Sequence, residues 1–152
     1  MLTDKDVTTI RDKVGSLVAR DDIEQMYFGG AIGADTVALE AALDLRKNKT
    51  PRLVAVVPNR INNQPKETQA ALSRADEVIE LGNPITSANG YKAYHLRNRA
   101  MVDMATDVVA FWSGDIHSGT YSTIKYANDN TKKVDAVVIE GKDKRYGYDK
   151  QT

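Results

Sequence analysis

The chain has 152 residues, enough for one domain with a sizeable apolar core. Its 21 lysines and arginines balance its 21 aspartates and glutamates, so no overall positive charge favours the coating of DNA, and any anion site has to be local. The absence of cysteine excludes a disulfide scaffold, and the lack of a signal-peptide core or a long apolar run predicts a cytoplasmic protein without a membrane partner.

The first elements are a helix and a strand. Residues 3–19 have apolar side chains at helical spacing behind Thr3, and Asp6 is placed to complete a capping box with it. Residues 24–28 then form a short strand. The helical pattern resumes at Gly33 and continues to about Arg46.

A glycine-rich turn, GGAIGAD, joins this strand to the second helix. Gly29, Gly30 and Gly33 allow a tight turn and a close backbone approach, either to a packed helix or to a ligand. Together with Asp35, which follows in the same turn, they are candidate ligand-binding residues. The turn lacks the GxGxxG spacing of dinucleotide sites, so it gives no reason to expect NAD. We expect no cofactor.

The middle of the chain continues the alternation. Residues 53–57 (LVAVV) are apolar without alternation, which is typical of a strand covered on both faces. A helix opens after Pro65, a shorter strand follows at 77–81, and a turn-rich stretch at 82–90 is expected to be mobile. The next helix spans residues 91–105.

Arg97 is expected near the start of that helix, on the same face as Met101. An arginine on the core side of a helix either pairs with a carboxylate or points into a cleft at the sheet edge. We favour the cleft and leave the structural ion pair open. Two histidines, His95 and His117, without a motif do not predict a metal site.

The sequence DVVAFWSGDIHSGTYSTIKYA at 107–127 predicts a strand, a small polar loop and a helix that starts at about 118–120. The start of a helix presents unpaired N–H groups and partial positive charge, which suits an anion. Gly119 permits a close approach, and four hydroxyl groups are candidate donors: Ser118, Thr120, Ser122 and Thr123. The alternative is that Ser118 or Thr120 only caps the helix.

Strands near 24–28, 53–57, 77–81, 108–112 and 134–139 alternate with helices. This order predicts an α/β, Rossmann-like three-layer fold with a mainly parallel sheet of about five strands. Residues 1–140 form a single domain in this interpretation, and 141–152 form a charged tail. Loops that follow parallel strands gather at one edge, so the glycine turn, the loop at 113–120 and Arg97 are expected to meet there.

The runs GGAIGAD, RNR at 97–99, VAFW at 109–112 and SGT at 118–120 resemble the SLOG superfamily, which includes the DNA-processing protein DprA and LOG-type cytokinin-activating enzymes. The resemblance spans about residues 24–140. It implies a Rossmann-like fold that binds nucleotides, nucleotide-derived signals or single-stranded DNA. It also matches the phosphate-binding helix start to residues 118–123, the paired glycines to Gly29 and Gly30, and the arginine-asparagine pair to Arg97 and Asn98.

Three departures qualify the resemblance. Lys125 and Tyr126 stand where LOG-type hydrolases carry glutamate, and Ile32 stands where related sequences often carry arginine. The family opens with a strand, whereas this chain begins with a helix. Either the sequence is shortened at its start, or the sheet lacks one strand and recruits a partner to cover its exposed edge.

The sequence therefore predicts a binding protein for a nucleotide-like small molecule, without catalytic residues. Tyr27, Trp112 and Tyr121 are candidates to stack on a base, although each is also explained by packing. One alternative is a nucleotide N-glycosidase or transferase using Asp35 or Asp115; the other, less favoured because the chain is neutral, is binding of single-stranded DNA. A homo-oligomer is left open.

Overall fold

The computed structural model describes residues 1–29, 33–83 and 90–141. In chain order the described helices and strands are α1 (Asp4–Val18), β1 (Gln25–Phe28), α2 (Ala34–Leu45), β2 (Arg52–Val57), a 3-10 turn (Ile61–Asn63), α3 (Lys66–Leu72), β3 (Glu77–Glu80), α4 (Gly90–Met104), β4 (Asp107–Trp112), α5 (Gly119–Asp129) and β5 (Lys133–Val138). The α/β class and the alternation of strands with helices are confirmed. The expected tail lies outside the described residues from 142 onward, and so does most of the turn-rich stretch, at 84–89.

The capping box at the start of α1 is confirmed. Thr3 Oγ1 accepts a hydrogen bond from the Asp6 amide at 3.1 Å, and an Asp6 carboxylate oxygen accepts one from the Thr3 amide at 3.0 Å. These bonds satisfy two of the amides that a helix start leaves without a partner. Asp6 also binds the chain after β5, which ties both ends of the domain together.

In the described part of the chain, all strand pairs are parallel, but the five strands form two sheets. One sheet has the order β1-β2-β3, and the other pairs β4 with β5 from Asp107↔Lys133 to Trp112↔Val138. The expectation of a single sheet of about five strands is therefore wrong in its connectivity. The apolar pattern of a strand indicates how far the strand is buried, but it does not show which other strand it pairs with.

The core is built around β2. Residues 53–57 of this strand are all buried, as expected for a strand covered on both faces. Leu53, Ala55 and Val57 belong to a cluster with Ile10 and Val14 of α1, and with residues of α2 and α3. The helix α4 also packs against β2, where its Arg97 reaches the Val56 carbonyl. Along the described part of the chain, no helix is both long and apolar enough to cross a membrane.

Candidate functional site

A cleft of about 1450 Å³ lies between the two sheets, and we call it the central cleft. Its walls include the four residues of β1 and the first five residues of β4. Helices α1, α2, α4 and α5 each contribute further side chains. Candidate site residues that line this cleft are Gly29, Gly33, Asp35, Arg97, Asn98, Thr120 and Thr123.

These residues define what we call the carboxyl end of the cleft, because they follow the last residues of parallel strands or contact them. Gly29 directly follows β1, and Gly33 is the N-cap of α2 with a φ of 96°, a left-handed conformation that favours glycine. Thr120 and Thr123 lie in the first turns of α5, which follows β4. Residues from the starts of two helices, α2 and α5, therefore line the cleft.

Arg97 is the most constrained of these side chains. It is 2% exposed, and its guanidinium donates hydrogen bonds to the Gly29 carbonyl, to the Val56 carbonyl at 3.5 Å and to Asn98 Oδ1 at 2.8 Å. The Asp35 carboxylate lies 4.0 Å away and is 39% exposed. Arg97 therefore fixes the end of β1 to β2 and α4, in addition to lining the cleft.

The position of Arg97 within its helix differs from the expectation. Arg97 lies in the middle of α4, which begins at Gly90, so its predicted position near the helix start is wrong. The closest approach at Gly29 comes from the protein itself: a Cβ atom there would lie 2.6 Å from Asp35 Oδ2 and 3.1 Å from Arg97 Cζ. Glycine at this position makes room for the arginine and the carboxylate.

The loop before α5 uses its hydroxyl groups locally. Ser118 is the N-cap: its Oγ accepts from the Tyr121 amide at 3.1 Å and donates to the Asp115 carbonyl at 2.7 Å. Thr123 Oγ1 donates to the Gly119 carbonyl at 3.1 Å. Ser118, Gly119 and Ser122 do not contribute to the described wall of the cleft, and Ser122 is exposed. Gly30 lies outside the described residues.

The aromatic candidates separate into two places. Tyr27 lines the central cleft, and its hydroxyl accepts a hydrogen bond from the Gln25 side chain at 2.6 Å. Trp112 and Tyr121 contact each other with ring centroids 5.6 Å apart, and the Trp112 indole donates to the Asp115 carbonyl. Neither of these two rings belongs to the described wall of the cleft.

Lys125 and Tyr126, which the resemblance aligns with the glutamates of LOG-type hydrolases, are absent from the described wall of the cleft. Lys125 is exposed, and the Tyr126 hydroxyl donates to Asp103 at 2.7 Å. That hydrogen bond raises the pKa of Tyr126. Among the described residues, no three histidine, aspartate or glutamate side chains are grouped so as to hold a metal ion.

The family comparison covers nearly the whole chain. The model of the DNA recombination-mediator protein A family matches residues 5–147. None of the curated proteins compared with the chain matches it. The family match agrees with the resemblance to the SLOG superfamily, since DprA-like proteins are members of that group. The chain therefore belongs to the DNA recombination-mediator protein A family.

Proposed function

We propose that the protein binds a nucleotide or nucleotide-derived ligand through its phosphate at the carboxyl end of the central cleft, without consuming it. The observation that carries this proposal is the convergence of Gly33 and Asp35 at the start of α2 with Thr120 and Thr123 at the start of α5. Helix starts offer amide donors and partial positive charge to an anion. Membership of a family whose named activity concerns DNA supports a ligand of nucleotide chemistry.

The roles differ from residue to residue. Thr120 and the first-turn amides of α5 bind phosphate. Arg97 holds the turn after β1 in place through its hydrogen bond to the Gly29 carbonyl, and Asn98 accepts a second hydrogen bond from Arg97. Arg97 adds positive charge, although Asp35 partly offsets it at 4.0 Å. Ser118 acts as the helix cap that orders this loop.

Substitution of Thr120 tests the proposal. Thr120→Val keeps the shape of the side chain and removes its hydroxyl, and a hydrogen bond to a charged group contributes about 1.5–3 kcal/mol. Affinity for dAMP or AMP in titration calorimetry is expected to fall by roughly ten- to a hundredfold. Ser122→Ala, which removes an exposed hydroxyl from the same helix, is the matched control and should bind like the wild type. Equal affinities of both variants and the wild type would rule out this phosphate site.

The enzymatic alternative depends on a carboxylate in the cleft. Of the two candidates, Asp35 lines the cleft, whereas Asp115 is absent from its described wall and accepts a hydrogen bond from the His117 amide at 2.8 Å. General acid-base assistance supplies about 10²–10⁴-fold in rate. We expect the release of free base from dAMP or AMP to stay at background. Chromatography of the reaction mixture measures this release. Rapid release that Asp35→Asn abolishes would establish the enzyme instead.

Single-stranded DNA is the second candidate ligand, because the family is named for DNA recombination. The salt dependence of the affinity for labelled oligo-dT distinguishes single-stranded DNA from a single nucleotide as the ligand. Fluorescence anisotropy measures this affinity at low and at physiological salt. A DNA-binding surface that neutralises several phosphates loses affinity steeply with salt, with a slope of about −0.7 per phosphate for single strands. A neutral chain that binds one nucleotide has a shallow slope.

A further inference from the structure

The starts of α2 and α5 differ in charge, although residues of both line the central cleft. Asp35 lies in the first turn of α2, where its carboxylate interacts favourably with the partial positive charge of the helix start. The first turn of α5, residues 119–122, has the uncharged sequence GTYS. An anionic ligand therefore meets a carboxylate at α2 and an uncharged helix start at α5. Since like charges repel, its phosphate binds at α5.

Asp35 is the charged group that a ligand contacts at the start of α2. Its side chain is 39% exposed, whereas that of Arg97, 4.0 Å away, is 3% exposed. The Arg97 guanidinium donates hydrogen bonds to three oxygens of the protein, on Gly29, Val56 and Asn98. The ligand thus meets a hydrogen-bond acceptor at this point of the cleft, with the positive charge buried behind it.

The part of a nucleotide that matches this acceptor is the sugar. An ionised carboxylate only accepts hydrogen bonds, and its two oxygens have about four acceptor positions, so contacts within the protein and with a ligand are compatible. The sugar is the group next to the phosphate, and its donors are hydroxyls. The base is suited by the apolar side chains that also line the cleft, among them Phe28, Val37, Met101 and Val102.

We propose that Asp35 accepts hydrogen bonds from the 2′- and 3′-hydroxyls of a ribose, so that the central cleft selects ribonucleotides over deoxyribonucleotides. This inference rests on the proposed function, because it requires the phosphate at the start of α5. Acidic side chains accept the ribose 2′-hydroxyl in the same way in dinucleotide-binding folds. The 2′-hydroxyl is absent from DNA, so the ligand is a ribonucleotide and not a piece of DNA.

Titration calorimetry of the full chain with AMP and with dAMP tests the selectivity. The wild type is expected to bind AMP roughly ten- to a hundredfold more tightly than dAMP, because dAMP lacks one hydroxyl that bonds to a charged group. Asp35→Ala removes the acceptor and should bring the two affinities together. Asp35→Asn keeps the shape of the side chain and should reduce the difference in the same direction.

The ratio of the two affinities separates recognition from a structural effect. A purely structural role of Asp35 would weaken AMP and dAMP binding by the same factor and leave the ratio unchanged. Glu40→Gln is the matched control, since Glu40 is an exposed carboxylate of the same helix outside the described wall of the cleft. This variant should keep the ratio of the wild type.

Each opposite result has a distinct meaning. If the wild type binds AMP and dAMP equally and Thr120→Val weakens both, the ribose contact is wrong and the proposed phosphate site stands. If neither nucleotide binds, the proposed function and this inference both fail. A preference for AMP that persists in both Asp35 variants would place the contact to the 2′-hydroxyl elsewhere. Tighter binding of GMP than of AMP, without any difference between GMP and dGMP, would assign Asp35 to the base and overturn the proposal.

Discussion

The guanidinium of Arg97 is held by three carbonyl-type oxygens, from Gly29, Val56 and Asn98, and lies beside the Asp35 carboxylate. Residue spacing placed this side chain on the core side of its helix, and that expectation is consistent with its burial. The spacing did not reveal the acceptors, because they are backbone atoms at the ends of two distant strands. Arg97 therefore lines the cleft and also holds the ends of β1 and β2 together.

Arg97→Met should destabilise the protein by about 1–3 kcal/mol, since the buried Gly29 and Val56 carbonyls lose their donor. Urea unfolding followed by circular dichroism measures the difference. Arg99→Met is the control on the same helix: Arg99 is exposed and stacks over the Tyr126 ring, so its loss should cost less than about 1 kcal/mol. If both variants unfold at the urea midpoint of the wild type, the structural role of Arg97 is wrong.

Gly29→Ala should also destabilise the fold, by about 1–3 kcal/mol, because the new methyl group overlaps Asp35 Oδ2 and crowds Arg97. Gly119→Ala is the comparison, since a Cβ atom there has nothing within 4 Å. We expect Gly119→Ala to fold like the wild type in thermal denaturation. A Gly29→Ala protein as stable as Gly119→Ala would contradict the packing at this turn.

At the scale of elements, Asp6 joins the start of α1 to the chain that leaves β5. Its carboxylate accepts hydrogen bonds from the amides of Glu140 and Gly141, each at 2.8 Å, and from Thr3. The Glu140 amide, helped by those of Thr3 and Gly141, holds the pKa of Asp6 at about 2, although burial acts in the opposite direction. The sequence predicted the local half of this cluster, the capping box, and had no signal for the partner 134 residues away.

A carboxyl group with a lower pKa in the folded state stabilises the protein above its unfolded pKa and loses that contribution as the pH falls through the folded value. We therefore expect Asp6 to contribute fully above about pH 4 and to lose its contribution between about pH 4 and 2. Asp6→Asn should lower the urea midpoint at pH 7 and flatten its pH dependence over that range. Asp4→Asn, an exposed acid in the same helical turn, is the control and should keep the pH dependence of the wild type. If the urea midpoints of Asp6→Asn and the wild type depend on pH in the same way, the hydrogen bonds to Asp6 do not contribute to the pH dependence of stability.

The observed bounds of the helices and strands show what a periodic sequence pattern can predict. The strand expected at 77–81 is observed at Glu77–Glu80, and the helix expected at 91–105 at Gly90–Met104. Hydrophobic spacing and caps are local properties, so a single sequence reveals them. The division into two sheets depends on which strand edges meet, and edge pairing leaves no mark in the composition of β1 or β4.

At the scale of the whole molecule, the central cleft lies between the two sheets and contains the candidate ligand site. Sequence reasoning brought the glycine turn, Arg97 and the start of α5 to one end of the fold, because loops after parallel strands gather there. It did not separate Thr120, which lines the cleft, from Ser118, which caps the helix, because both fit the same loop pattern. Only the direction of each side chain in the folded protein distinguishes them.

An NMR titration of the ¹⁵N-labelled protein with dAMP tests the central claim most directly, since the backbone amides report where the ligand binds. The account predicts that the amides of Gly29, Gly33, Asp35 and Thr120 shift during the titration, while those of α3 and β3, outside the cleft, stay in place. Shifts confined to α3 and β3, or no shifts at all up to millimolar dAMP, would contradict nucleotide binding at the carboxyl end of the central cleft.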